Sequence, residues 1–264
     1  MVLLTDPYGQ TSNNFFQHIH LDSFCKEKGI CFFNPFLRKA YSDYPGLKGN
    51  LLQEIMYSII LGLRKSGFLS LLRKKQFDID DPIHQAVITN NKILLCKGWL
   101  FRSFDTTIKF RKYYQNLFDP KIDKRYYKDT FLKKSFSDEV LIGVHIRRGD
   151  YKYFTNGVYF YNDNVYIDKI HQLLSCLNGK SHKVLLFSDD KTLNIKEFKE
   201  SFNEVYISNG SETIDHYLMS QCDYLIGPPS TFSLWASYIG ETPFFHIENA
   251  EDIVSLEKFR ICNG

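Results

Sequence analysis

The sequence predicts an α/β fold built from two Rossmann-like domains that face a cleft, and three observations predict it. "VLIGVHI" (140–146) is an unbroken apolar run, the pattern of a strand buried on both faces of a parallel sheet. Four more short apolar runs follow it, each separated by a stretch of helical periodicity, which is the β-α-β-α order of a parallel sheet. A shorter version of the same alternation occupies the first 118 residues.

In the first half, "VLLT" (2–5) reads as a strand, 13–28 as a helix and "ICFF" (30–33) as a second strand. "NLLQEIMYSIILGLRKSG" (50–67) reads as a helix ending near Gly67, "KILLCKG" (92–98) as a strand and 102–118 as one helix. The stretch 120–138 is charged and lacks clear periodicity, so the domains are placed at 1–135 and 136–264. In the second half, Val165, Ile167, Ile170, Leu173, Leu174 and Leu177 recur with helical spacing after the strand 140–146. "KVLLFS" (183–188), "EVYIS" (204–208), "DYLIG" (223–227) and "PFFHI" (243–247) are the following strands. Helices are expected near 194–200, 212–221 and 230–240. No internal repeat or low-complexity segment interrupts the order.

Composition narrows the class. At 44% hydrophobic and 16% aromatic residues, the chain can bury a sizeable core and is not disordered. No run approaches the roughly 20 apolar residues that span a bilayer, and the opening "MVLLTDPYG" is too short for a signal peptide. The six cysteines show no C-x-x-C pair, which argues against a zinc site. The expectation is a cytoplasmic protein with reduced thiols.

The net charge of +3 hides an asymmetry. Residues 181–264 hold 6 Lys+Arg against 13 Asp+Glu, while residues 1–180 hold 27 against 17. A basic half suits an anionic membrane surface or nucleic acid. No nucleic-acid motif accompanies it. The segment "LRKSGFLSLLRKKQ" (63–76), with Arg73, Lys74 and Lys75, is the best candidate for a peripheral membrane anchor.

Chemistry concentrates at three strand ends, where ligands bind in open α/β sheets. In "GVHIRRGDY" (143–151), Arg147 and Arg148 follow a buried strand, and paired guanidiniums suit a diphosphate through charge-assisted forks. Gly149 permits close backbone approach, and Asp150 is placed to orient an arginine or accept a proton. In "LLFSDD" (185–190), Asp189 or Asp190 can accept both donors on a guanine edge, or cap the following helix. In "GPPSTFSLW" (227–235), Ser230, Thr231, Phe232 and Ser233 open a helix, whose free N–H groups favour an anion. The three segments together describe a nucleotide diphosphate pocket.

"HIRRGDY" (145–151), "FSDD" (187–190) and "DHYLMSQCDYLIGPPSTFSLWASYIG" (215–240) resemble three donor-side motifs of the α-1,2-fucosyltransferases of glycosyltransferase family 11. "GQTSNNFFQHI" (9–19) and "GWLFRSFDT" (98–106) are similar to the family's N-terminal segments, more weakly. The chain departs from the family pattern at Gln10, Ser12, Asn14, Phe15, Pro229 and Leu234. The resemblance implies a GT-B fold, a GDP-fucose donor, an oligosaccharide or lipid-linked acceptor, inversion at the anomeric carbon, and no cofactor or metal. It implies that Arg147 and Arg148 hold the diphosphate, that His145 lies near the nucleotide, and that Asp189 or Asp190 reads guanine. It also implies that Ser230 to Ser233 line the phosphate side.

Asp150 is the first candidate for proton acceptor, with Asp6, Asn13 and His18 as others. Asp78-Ile79-Asp80 is the one D-x-D, the element a metal-dependent transferase needs. It reads as a loop, with Pro82 breaking the chain just after. A second functional reading is a protein that holds a GDP-sugar or glycan without turnover, and a third is transfer of another GDP-linked sugar.

Overall fold

The computed structural model describes residues 1–68, 77–99, 101–190 and 192–264. Two compact units make up the chain: residues 1–121 with 263–264, and residues 122–262. This division differs from the expected boundary at 135/136. A helix Lys124–Thr130, unforeseen in the sequence, follows Ile122, and Ile122, Tyr127, Phe131 and Leu132 pack against the core of the second unit.

The first unit holds a three-stranded parallel sheet, β1 (Val2–Leu4), β2 (Phe32–Phe33) and β3 (Leu94–Cys96), in the order β2-β1-β3. Val2, Leu4, Leu21, Phe24, Phe36 and Phe101 form its core. Helix Thr11–Glu27 follows β1 and buries polar residues along with apolar ones. Two of these tie loops together. Asn14 Nδ2 donates to the Gln10 carbonyl at 2.7 Å, and Gln17 Nε2 donates to the carbonyls of Asp6 (3.1 Å) and Gly98 (2.5 Å).

Two expectations here are corrected. Residues 102–118 form two helices, Phe104–Lys109 and Arg111–Leu117, because Phe110 leaves helical geometry at ψ 8. Pro82 starts a helix, Pro82–Asn90, where it occupies the first turn, a position whose N–H has no helical partner anyway. Asp81 caps that helix by accepting the Ile83 N–H at 2.8 Å. Asp78 and Asp80 lie in the turn that precedes it, where Asp78 Oδ1 accepts the Asp80 N–H at 3.1 Å. Most of the expected anchor segment, with Arg73, Lys74 and Lys75, lies outside the described residues.

The second unit carries a five-stranded, all-parallel sheet in the order β6-β5-β4-β7-β8. Its strands are β4 (Val140–Ile146), β5 (His182–Ser188), β6 (Val205–Ile207), β7 (Tyr224–Gly227) and β8 (Phe244–His246). Every residue of the central β4 is buried, as its continuous apolar run requires. Helix Asp163–Cys176 covers one face through Tyr166, Ile170 and Leu173, joined by Phe198. Helices Glu212–Ser220 and Thr231–Gly240 cover the other through Leu218, Met219 and Ala236. All six cysteines are free thiols. Among the described residues, no helix is long and apolar enough to cross a membrane.

Candidate active site

Three strands end side by side. Ile146 at the end of β4 pairs with Ser188 at the end of β5, and Val144 pairs with Ile226 of β7. Ser188 Oγ donates to the Ile146 carbonyl at 2.9 Å and clips the first two ends together. The segments carrying Arg147, Asp189 and Ser230 therefore leave one edge of the sheet.

Asp189 shapes the turn after β4. Its Oδ1 accepts the Arg148 N–H at 2.7 Å and its Oδ2 accepts the Gly149 N–H at 3.2 Å. A Cβ at Gly149 would sit 2.9 Å from Asp189 Oδ2, so any side chain there must push the carboxylate away. Asp190 is held by its own neighbours: Oδ1 accepts the Thr192 N–H at 2.8 Å and the Thr192 hydroxyl at 2.6 Å. Those bonds, with Arg148 nearby, keep its carboxyl below the usual range. Both aspartates thus build the loop. Each oxygen of Asp189 retains a second lone pair for a ligand, whereas Asp190 Oδ1 is filled by Thr192 and leaves only Oδ2.

The two arginines differ in their fixation. Each is 15% exposed. Arg147 makes a two-bond fork to Asp150, Nε to Oδ1 at 3.0 Å and Nη2 to Oδ2 at 3.1 Å. Its Nε also lies 3.6 Å from Asp189 Oδ2, and its guanidinium stacks over Tyr151 at 5.3 Å. Arg148 is held from three sides. It pairs with Asp163 at the start of helix Asp163–Cys176, donates through Nε to the Tyr161 carbonyl at 3.2 Å, and approaches Asp190 at 3.7 Å. The partner of Arg147, Asp150, is 57% exposed, whereas Asp163 and Asp190 are 17% and 22% exposed. Arg147 can therefore exchange its carboxylate for another anion at small cost, and Arg148 cannot.

His145 lies beneath the arginines, buried within β4. Its Nδ1 bonds the Ser233 hydroxyl, which is also buried. Burial, and then the charge of Arg147, lowers its pKa to about 3, so the ring is neutral at working pH. Phe232 lies between His145 (centroids 5.3 Å) and His216 (4.1 Å). Burial lowers His216 to about 3 as well. Gly227 permits this packing, since a Cβ there would meet the His145 carbonyl at 2.8 Å. His145 and Ser233 thus form an inner support rather than a lining, while Ser230, Thr231 and Phe232 remain partly accessible. Ser230 caps helix Thr231–Gly240 by accepting the Phe232 N–H at 3.3 Å. Tyr151 ties the two loops with a hydrogen bond from its hydroxyl to the Pro229 carbonyl.

Asp163 and Tyr161 are site-building residues absent from the sequence reading, and Tyr151 ends the motif without a role assigned to it there. Asp163 and Tyr161 lie within 16 residues of the motif, yet nothing in their spacing marks a contact with it. Asp6, Asn13 and His18 belong to the first unit. His18 packs against Phe32 and Phe118, and burial lowers its pKa. Among the described residues, no group of three or more His, Cys, Asp or Glu side chains is arranged to hold a metal ion.

A family model for Glycosyl transferase family 11 matches residues 133–252, which span all three strand-end segments. The matched stretch is less than half of the chain and lies within the second unit. An alpha-1,2-colitosyltransferase of Escherichia coli is 31% identical over 123 residues, covering 40% of this chain and 42% of that protein. A galactoside 2-alpha-L-fucosyltransferase SEC1 of Bos taurus is 27% identical over 116 residues, covering 41% of this chain and 31% of that protein. The matched stretch thus spans less than half the length of these relatives.

The chain also resembles solved structures along its length. A mutant of Arabidopsis thaliana FUT1 in complex with GDP has a TM-score of 0.59 at 13% identity, over 98% of this chain and 72% of that one. The NodZ alpha-1,6-fucosyltransferase soaked with GDP-fucose has a TM-score of 0.54 at 14% identity, over 93% and 94%. These likenesses establish the GT-B class of fold for this chain, with its two α/β units.

Proposed function

We propose that the chain is an inverting glycosyltransferase that moves L-fucose from GDP-fucose to a glycan hydroxyl, in an α-1,2 linkage and without a metal ion. The observation that carries this reading is the Arg147 fork at the end of β4, held on an exchangeable aspartate beside the start of helix Thr231–Gly240. Cleavage of the sugar–diphosphate bond leaves negative charge on a β-phosphate oxygen. A preorganised guanidinium and helix-terminal N–H groups stabilise that charge more in the transition state than in the ground state. In this reading Arg147 leaves Asp150 for the diphosphate, and Arg148 keeps the loop in shape. Asp150, once released, is free to accept the proton of the attacking hydroxyl.

Asp189 and Asp190 are the proposed guanine-side carboxylates, through the lone pairs that the loop leaves unused. A second donor is favoured by the 31% identity to the Escherichia coli relative: colitose, a fucose without its 3-hydroxyl. A panel of nucleotide sugars, read by GDP or UDP release, tests the donor, and NMR of the product tests the linkage. Loss of activity toward every GDP-sugar, with binding retained, would favour the non-catalytic reading.

We further propose work at an anionic membrane surface, toward a lipid-linked or surface glycan. Helix Leu51–Lys65 supports this, with Leu51, Leu52, Ile55, Ile59 and Leu63 exposed along it and Arg64 and Lys65 in its last turn. Its one acidic residue, Glu54, is paired with Arg38 at 3.2 Å. Exposed leucine and isoleucine beside basic residues is the pattern of an interfacial helix.

A further inference from the structure

We propose that the loop 150–163 carries a stacking site for a pyranose ring of the acceptor glycan, with Tyr153, Phe154 and Phe160 as its aromatic face. This rests on the transferase reading above and assigns a place to the second substrate. Three large aromatic side chains stand in water within eight residues: Tyr153 at 78%, Phe154 at 51% and Phe160 at 43% exposed. Large apolar rings clustered at the surface mark an interaction site.

Phe154 connects this loop to the candidate phosphate site. The Arg147 guanidinium lies 5.3 Å over the Tyr151 ring. Tyr151 stacks on Phe154, with centroids 5.2 Å apart and planes at 26°. Phe154 lies along Tyr159, at 6.4 Å and 29°. The aromatic surface therefore begins one ring away from the guanidinium assigned to the diphosphate, where the transferred sugar and the attacking hydroxyl must meet.

The backbone is bent to present these rings. Thr155 (φ 48), Asn156 (φ 59) and Gly157 (φ 77) take left-handed conformations in succession. A β-branched threonine there is a rare conformation, and such strain collects at ligand sites. The turn leaves Lys152, Thr155 and Asn156 exposed around the rings. A pyranose has one face of C–H groups and a rim of hydroxyls. An aromatic face ringed by an ammonium, a hydroxyl and an amide matches both, as in sugar-sized pockets generally.

Steady-state kinetics with GDP-fucose and a panel of galactose-terminated oligosaccharides tests the site. Tyr153→Ala and Phe154→Ala should each raise the acceptor KM by about tenfold, the factor that accompanies about 1.4 kcal/mol of lost binding. The donor KM should stay within about twofold, and Tyr153→Phe, which keeps the ring, should restore the acceptor KM. An unchanged acceptor KM overturns the proposal. So does a rise in donor KM alone, which would mean that the rings stack on the nucleotide base. If the wild-type chain turns over no nucleotide sugar, the transferase reading fails. Saturation-transfer NMR with the same oligosaccharides then reads the loop directly. A signal lost in both alanine variants sustains a glycan site, and no signal in the wild type overturns it.

Discussion

Arg147 and Arg148 are adjacent in sequence and separate in consequence. Arg147→Ala removes a side chain whose partner, Asp150, is solvent-exposed, so the fold should persist while transfer falls by about two to three orders of magnitude. Arg148→Ala leaves Asp163 without its guanidinium at 17% exposure. That should lower stability by about 3 kcal/mol, the lower end for breaking a buried ion pair. Denaturant midpoints beside initial rates separate the two, and equal loss of stability in both variants contradicts the assignment. Asp189→Asn tests the loop. An amide turns one donor toward the N–H groups of Arg148 or Gly149, and the cost should be about 1–3 kcal/mol. Unchanged stability with unchanged donor affinity would show that the carboxylate does neither job. The histidines give a pH signature. His145 and His216 stay neutral in the folded chain down to about pH 3, while the unfolded chain protonates them below about 6.5. Their folded pKa values are depressed, so the unfolded state binds more protons between those limits and stability falls as pH drops through that window. Each contributes about 1.4 kcal/mol per pH unit. Thermal melts from pH 7 to pH 5 should show the decline, and His145→Gln should make it shallower.

At the scale of elements, the second unit was legible because each strand is a continuous apolar run between turn residues, and β4 begins and ends where its run does. Helices without an apolar stripe were not. Lys124–Thr130 buries none of its residues fully and shows little period. Pro82–Asn90 was hidden by reading Pro82 as a breaker, although proline in a first turn starts a helix. At the site, the strand-end arginines and aspartates stand out because charge follows buried strands. Their fixation does not, because Asp163 and Tyr161 reach the motif only through the folded loop. Helix Leu51–Lys65 allows a prediction at this scale. The chain should co-sediment with vesicles of phosphatidylglycerol and phosphatidylcholine at low salt and bind less at physiological salt. Ile55→Asn with Ile59→Asn should abolish binding, and Arg64→Glu with Lys65→Glu should weaken it. Binding to phosphatidylcholine alone, or none at low salt, contradicts a charged membrane partner.

For the whole molecule, the proposal joins a second unit similar to family 11, a GT-B fold and one exchangeable guanidinium, Arg147, proposed for the diphosphate. With arginine and a helix start serving the leaving phosphate, EDTA should leave the initial rate unchanged. An absolute Mn²⁺ requirement removed by Asp78→Ala with Asp80→Ala would return the D-x-D to consideration. The most direct measurement is nucleotide release from GDP-fucose, GDP-colitose, GDP-mannose and UDP-galactose in the presence of the oligosaccharide panel and EDTA, with Arg147→Ala alongside. The account predicts GDP release from GDP-fucose or its 3-deoxy analogue, dependent on acceptor and lost in the variant by about a hundredfold or more. Release of UDP in preference to GDP, or equal rates in wild type and variant, would contradict it.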